Sequence, residues 1–296
     1  MRIVVTGKSG QVAMALGERA AQQGVTLIAV GRPEFDLADA ARGLEAIAAA
    51  RPDVIVSAAA YTAVDKAESD AETARLVNAD GPGAVAQLAA RLSVPVVHLS
   101  TDYVYDGSKP SPYVESDPTN PLGVYGATKL AGEQAVAAAT PDHAILRTAW
   151  VYSPFGNNFL KTMLRVGAER PELRVVDDQI GNPTSALDIA DAVLRVARNL
   201  HERPDDASLR GVFHLTGSGQ ASWADFAQAI FAASGERGGP NAAVTRITTA
   251  DYPTPARRPA NSRLNGDKLG QIHGIVMPAW QVSTQATVER LLSNKA

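Results

Sequence analysis

The chain has 296 residues, no cysteine, a formal net charge of −3, and 45% hydrophobic against 20% charged residues. That length supports one large core or two domains sharing an interface, and the balance is that of an ordinary globular protein. Missing cysteine excludes disulfides, thiolate metal sites and cysteine nucleophiles, and the small net charge gives no reason to expect nucleic acid or an anionic membrane as partner.

Arg2–Thr6 (RIVVT) reads as a first strand at the N-terminus, without a signal-peptide layout, and no stretch approaches the ~20 apolar residues of a membrane span. Both features predict a cytoplasmic protein. A helix follows over Gln11–Gln23, then a strand over Thr26–Val30, a helix over Ala40–Ala50 closed by Arg51-Pro52, and a third strand over Asp53–Ser57. Helices around Ala71–Asn78 and Gly83–Leu92 precede a fourth strand, Val94–Leu99, and a helix around Tyr125 precedes a fifth, His143–Arg147. Strands that are apolar on both faces and alternate with helices imply an α/β fold, a Rossmann-type doubly wound parallel sheet covered on both sides.

After Trp150 the pattern loosens into helices near Asn158–Glu169, Ala186–Leu200 and Ser222–Ala233, with one strand at Val212–Thr216. The expected division is a dinucleotide-binding domain over 1–150, with 186–216 returning to its sheet. A smaller C-terminal α/β substrate lobe takes 151–185 and 217–296. Segments 104–123 and 251–263 are rich in proline and poor in apolar residues, and read as ordered loops over a site.

Between the first strand and its helix, Gly7-x-x-Gly10-x-x-Ala13 has the spacing of a dinucleotide-binding turn. Glycine lets the backbone approach a pyrophosphate, and a helix N-terminus supplies N–H groups and partial positive charge. A plain tight turn would share this spacing; the position after the very first strand favours the cofactor. Gly7, Ser9, Gly10, Gln11 and Val12 are the candidate contacts. At the end of the second strand an acidic residue would bind a ribose 2′-hydroxyl, but the chain has Gly31-Arg32. Arginine suits a 2′-phosphate, so NADPH is expected, with NADH as the lesser cofactor; an ordinary surface arginine is the other reading. Asp36 is placed to accept from the adenine amine with Leu37 beside it, and Ala58, Ala59 and Ala60 let backbone lie against ribose and pyrophosphate. Loop capping and helix–sheet packing explain both segments equally well.

Tyr125 and Lys129 stand four residues apart in VYGATKLAGE, and Ser100–Thr101 ends the fourth apolar run. A phenol has an unperturbed pKa of about 10, and a cation one helical turn away is expected to bring it toward the working range. A proton donor beside a dinucleotide site is what hydride transfer to a carbonyl requires. Arg257, Arg258 and Arg263 lie in the 251–263 loop, where guanidinium groups suit a pyrophosphate and Asn261 can assist, although one of them can equally pair with a nearby acid.

These pieces resemble the extended short-chain dehydrogenase/reductase superfamily and, within it, the dTDP-4-dehydrorhamnose reductase family. The resemblance runs nearly end to end and rests on GKSGQVA (7–13), AAAYTAVDKAE (58–68), STDYVYDG (100–107), NPLGVYGATKLAGE (120–133), RTAWVY (147–152), DDQIGNPT (177–184) and YPTPARRPANSRLN (252–265). It implies that Tyr125 protonates the sugar O4, that Lys129 holds the nicotinamide ribose, and that Thr101 donates to the developing oxyanion. By the same resemblance Tyr61 and Thr62 go with the cofactor. Asp65, Lys66 and Glu68 either share that site or form an ion pair that organises the loop. Asp102 is expected on a substrate hydroxyl, with capping of the next turn as its alternative, and Tyr103 beside it. Trp150 is expected as a wall for the deoxysugar, or as core, with Gln179 and Thr184 at the nucleotide end. Related 4,6-dehydratases follow the threonine with aspartate and glutamate; here Asp102 is followed by Tyr103, which favours net reduction over elimination.

Some relatives are Mg²⁺-linked dimers with an acidic residue in the first helix, where this chain has Ala15, so no metal is expected and a monomer or homodimer is left open. The five histidines (98, 143, 201, 214 and 273) show no ligand spacing, and His98, His143 and His214 are expected in strands of the core. The small-molecule partner is then a nucleotide sugar. A reductase or epimerase for another nucleotide sugar remains an alternative, as does a non-catalytic dinucleotide-binding subunit like that of methionine adenosyltransferase.

Overall fold

The computed structural model describes residues 1–40 and 43–293. Five strands, β1 (Arg2–Thr6), β2 (Thr26–Val30), β3 (Val54–Ser57), β4 (Val96–Thr101) and β5 (His143–Thr148), are joined by β7 (Gly211–His214) in one six-stranded sheet. Its order is β7-β5-β4-β3-β1-β2, and every neighbouring pair is parallel. Because β2 and β3 lie on opposite sides of β1, the order reverses there, and a crevice opens beyond the strand C-termini.

Alternate strand residues feed two cores. Ile3, Val5, Val54, Val56 and Val97 pack beneath α1 (Gln11–Gln22) and α6 (Ala186–Glu202), while Val4, Ile55, Val96 and Ile145 pack on the opposite face. The second face is covered by α2 (Leu44–Ala49), α3 (Gly81–Leu92) and α4 (Val124–Ala139). A covered parallel sheet explains why the strands are apolar on both sides.

The helix expected over Ala40–Ala50 is observed over Leu44–Ala49, and residues 41–42 lie outside the described residues. The two helices expected over 71–78 and 83–92 are one helical run in which 76–80 forms a π-type turn leading into α3, with Pro82 in its first turn. Proline has no N–H to bond back into the preceding turn, and the wider π-type turn stands directly before it.

Beyond β5 a further core gathers Tyr152 with Leu160, Phe226, Ile230, Trp280 and Val288 from α5 (Phe159–Gly167), α7 (Trp223–Gly235) and α9 (Trp280–Ser293). A parallel pair, β6 (Glu172–Val176) with β8 (Ala243–Ile247), packs on it, and α8 (Asp267–His273) lies beside β7. Among the described residues no helix is long and apolar enough to cross a membrane.

Candidate active site

The glycine turn sits at the C-terminal end of β1. Gly7 holds φ at +96°, and a Cβ there would come within 3.2 Å of the Ala59 Cβ, so only glycine lets β1 and the end of β3 close up. Thr6 Oγ1 reinforces the closure by accepting from Ala58 N at 3.1 Å and Ala59 N at 3.2 Å. Gly10 caps α1 without a side chain and no acid occupies the first turn, so the helix N-terminus keeps its donors for an anion. Ser9 and Gly10 are exposed. Val12 packs against the core instead. The Gln11 side chain is committed to the segment after β5: its Oε1 accepts from Ser153 Oγ at 2.7 Å and Asn158 Nδ2 at 2.9 Å, leaving its backbone for the turn.

Arg32 is exposed and has no hydrogen bond or ion pair among the described residues. Lys8, inside the turn, reaches the same corner and pairs with Glu34. This second cation escaped sequence reasoning because only folding brings the turn beside the end of β2. Leu37 is a correction: it is 6% exposed, packs in the core and covers Gly81, so its side chain has no face toward a ligand. Asp36 spends one carboxylate oxygen on Ala38 N at 3.0 Å, as a cap.

At the end of β4 the structure brings Thr101, Asp102, Tyr103 and Tyr125 together. Tyr125 is partly exposed as a whole residue, its ring lies edge-on to the Tyr103 ring at 5.5 Å, and the Thr101 hydroxyl lies on the same side of the phenol. The expected acidification by Lys129 is not what this geometry produces. Enclosure pushes the Tyr125 phenol up to about 12, the Thr101 hydroxyl opposes the rise, and the Asp102 charge adds to it. Lys129 is only 2% exposed, and its Nζ donates to Leu99 O at 2.6 Å rather than to the phenol. Burial pulls its ammonium down to about 8, against the charge of Glu133.

Asp102 is 2% exposed and accepts from Thr101 Oγ1 at 3.0 Å, while its second oxygen has no hydrogen-bond partner among the described residues. Burial raises its carboxyl to about 6, against the hydroxyls of Ser262 and Thr101. The next turn is capped by Thr101, whose Oγ1 accepts from Tyr103 N at 3.2 Å, and not by Asp102.

The segment after β3 is a brace between elements: of its two readings, the internal ion pair holds for Lys66 alone among the three charged residues, and the contacts of Asp65 and Glu68 leave the segment. Tyr61 N donates to Asn78 Oδ1 at 2.8 Å and Tyr61 O accepts from Asn78 Nδ2 at 3.1 Å, while the same Nδ2 reaches Thr128 Oγ1 on α4 at 3.2 Å. The Tyr61 hydroxyl itself binds Asp70 at 3.0 Å, and Thr62 is exposed. Glu68 accepts from Val124 N at 2.9 Å, at the N-terminus of the helix that carries Tyr125. Asp65 grips Arg258 with both oxygens, at 3.1 and 2.8 Å. Only Lys66 stays within the segment, 3.8 Å from Asp70.

On the other wall, Trp150 holds φ at +47° and stacks on Trp223 at 3.6 Å, with one part exposed. Trp223 Nε1 donates to Gln179 Oε1 at 3.2 Å, and Gln179 Nε2 to Thr249 Oγ1 at 3.0 Å, so Gln179 holds the tryptophan wall. Thr184 is a correction. It is fully buried, donates to Asn182 O at 2.9 Å and accepts from Gly217 N at 3.1 Å, which gives it a role in the turn. Asn261 and Arg263 are likewise spent on the protein: Asn261 Nδ2 donates to Ser111 O at 3.0 Å, and Arg263 donates to Asn261 Oδ1 at 2.7 Å and Gln220 Oε1 at 2.9 Å. Of the three loop arginines, Arg257 is exposed and unengaged among the described residues.

Ala15 is fully buried in the sheet core, and no cluster of three or more metal-ligating groups occurs among the described residues. His98 and His214 are fully buried, whereas His143 is only partly so.

The family model described as RmlD substrate binding domain matches residues 1–293. A dTDP-4-dehydrorhamnose reductase of Sinorhizobium fredii is 55% identical, over 99% of this chain and 98% of its own. The crystal structure of a dTDP-4-dehydrorhamnose reductase from Clostridium acetobutylicum superposes with TM-score 0.90 at 37% identity, covering 99% and 100% of the two chains. Another, from Bacillus anthracis in complex with NADP, gives 0.87 at 32% identity and covers 99% of each. A match over almost the whole length, with the threonine at the end of β4 and the tyrosine and lysine on α4, makes this chain a member of the dTDP-4-dehydrorhamnose reductase family.

Proposed function

We infer that the chain is an oxidoreductase that reduces the C4 ketone of dTDP-4-dehydro-6-deoxy-L-mannose to dTDP-L-rhamnose with NADPH. The observation that carries this reading is the gathering of Thr101, Asp102, Tyr103 and Tyr125 beyond the C-terminal end of β4, at the same end of the sheet as the Gly7 turn. When bound, the reduced nicotinamide supplies the hydride. The donor-rich start of α1 and the Gly7–Ala59 close approach fit its pyrophosphate, and Arg32 with Lys8 fits the 2′-phosphate.

The chain's own groups manage charge and proton. As negative charge grows on O4, Tyr125 gives its phenolic proton to that oxygen and Thr101 stabilises it by a hydrogen bond. The Lys129 ammonium, buried beside the site, offsets the phenolate that results. The free oxygen of Asp102 takes a sugar hydroxyl, Trp150 lines the methyl side and Arg257 takes the substrate pyrophosphate. Elimination lacks its base, since Tyr103 occupies the position after Asp102. We place the enzyme in the cytoplasm, as a monomer or homodimer.

The test is to supply the keto-sugar made enzymatically from dTDP-glucose and to follow loss of NADPH absorbance. Consumption with formation of the L-rhamnose nucleotide is expected; no consumption, or a C4-epimeric product, overturns the reading. Arg32→Ala is expected to raise KM for NADPH about tenfold, the worth of one charge-assisted contact with Lys8 still present, and to leave KM for NADH unchanged. Equal kcat/KM for both cofactors in the parent and the variant would remove Arg32 from the site.

Asp102 carries a measurable burden. Its carboxyl titrates at about 6 in the fold, against about 3.9 in an unfolded chain. Because the folded value is the higher one, the group costs nothing below pH ~4. The cost grows through the window between the two values and reaches about 2 to 3 kcal/mol above it. Asp102→Asn, neutral throughout, is therefore expected to raise Tm at pH 8, to change it little at pH 4, and to lower kcat/KM. A variant no more stable at pH 8 than the parent would refute this account.

A further inference from the structure

A buried polar cluster next to the catalytic helix takes no part in the steps above. Glu133 follows Lys129 by one turn of α4, and register places Ser100 of β4 opposite Arg147 of β5, both reaching the same carboxylate. Glu133 Oε1 accepts from Ser100 Oγ at 2.5 Å and Arg147 Nε at 2.9 Å, and Oε2 accepts from Arg147 Nη2 at 2.6 Å. Each side chain of the pair is 5% exposed. Arg147 Nη1 continues to the Tyr105 hydroxyl at 2.7 Å, which meets His214 Nε2 at 2.9 Å.

A buried ion pair is a poor route to stability, since apolar groups of equal volume often do as well or better. Lys129 provides a reason for one here. A lysine this deeply enclosed tends toward its neutral form unless an anion faces it. Two titratable groups feel its charge or act on it: His98 from β4, held neutral by burial and by the lysine's own charge, and Glu133 from α4, whose Oε1 takes the Ser100 hydroxyl beside the Leu99 carbonyl that Lys129 Nζ reaches. Glu133 is the anion whose charge favours the ammonium, and the guanidinium fork bonded to it partly neutralises that charge while fixing where the carboxylate stands.

We propose that the Glu133–Arg147 pair, bridged to β4 through Ser100, is a positioning device that keeps Lys129 charged at the catalytic end of the strand. The proposal rests on the reading of Lys129 as the cation that supports Tyr125. Two variants separate it from a purely structural role. The double variant Glu133→Leu/Arg147→Met removes both charges at similar volume. The alkaline limb of its kcat profile is expected to fall by about one pH unit, because Lys129 loses its proton earlier. Arg147→Met alone leaves the carboxylate facing Lys129 unopposed, and its limb is expected to rise above that of the parent. A folded double variant, checked by circular dichroism and Tm, with an unmoved limb overturns the proposal. Should the double variant fail to fold, an unmoved or lowered limb in Arg147→Met overturns it equally. Lys129→Met is the control: wild-type kcat and profile in that variant would sink the catalytic reading of Lys129 itself, whereas lost activity there with an unmoved limb in the pair variants sinks this proposal alone.

Discussion

Tyr125→Phe is expected to lower kcat by about 10²- to 10⁴-fold while NADPH binding stays close to that of the parent. The change deletes one oxygen and keeps the ring, so the edge-on contact with Tyr103 and the packing of α4 survive. What disappears is the phenolic proton that the ketone oxygen would receive. Thr101 can offer a hydrogen bond but cannot substitute as the acid, since a threonine hydroxyl is a far weaker acid than a phenol. A phenol held at about 12 is a poor acid toward water, yet the alkoxide growing on C4 is a much stronger base than phenolate, so the transfer runs downhill. Steady-state reduction of the keto-sugar with a calorimetric titration of NADPH checks both halves. Retained kcat would remove Tyr125 as the proton donor, and loss of NADPH binding would show that the hydroxyl serves the cofactor instead.

Residues near in sequence carried most of what could be read beforehand. β1 and β2 are observed over the residues expected for them, because a strand apolar on both faces announces a covered parallel sheet without reference to any neighbour. The tyrosine–lysine spacing was legible for a similar reason, as four residues make one helical turn. The long-range partnerships were not. Asp65 meets Arg258 across 193 residues, and Glu68 meets Val124 across 56, and nothing local marks either pair. The loop arginines show the limit well. A run of guanidinium groups signals an anion, but which of Arg257, Arg258 and Arg263 remains available depends on where Asp65, Gln220 and Asn261 land. β6 and β8 escaped because charged residues interrupt each, Glu172 and Arg174 in one and Arg246 in the other, and their pairing spans a stretch that includes α7, which packs on both. The direction of the Lys129 ammonium was hidden as well: helical spacing places its Cα near Tyr125, while the buried carbonyl of Leu99 decides where Nζ points.

Gly132→Ala is expected to be the most damaging conservative substitution in α4, even though alanine is the better helix former by about 1 kcal/mol. A Cβ at Gly132 would collide with the carbonyl oxygen of Asn78, and one at Gly126 with the carbonyl oxygen of Tyr103. Both obstacles are backbone, so no side-chain rotation relieves them and the helix must move away. Overpacking of this kind costs about 1 to 3 kcal/mol, which outweighs the gain in helix propensity. The shift also reaches the chemistry, because Asn78 is clamped to Tyr61 on one side and to Thr128 on the other, one turn from Tyr125. A displacement of about 1 Å at a reacting group costs roughly 10²-fold in rate. Gly17→Ala in α1 supplies the comparison: nothing lies within 4 Å of its would-be Cβ, so the propensity gain should appear unopposed as equal or higher Tm. Thermal unfolding and kcat measured on both variants decide the matter. If Gly132→Ala matched the parent in Tm and kcat, close approach of α4 to the Asn78 backbone would not be what positions the tyrosine.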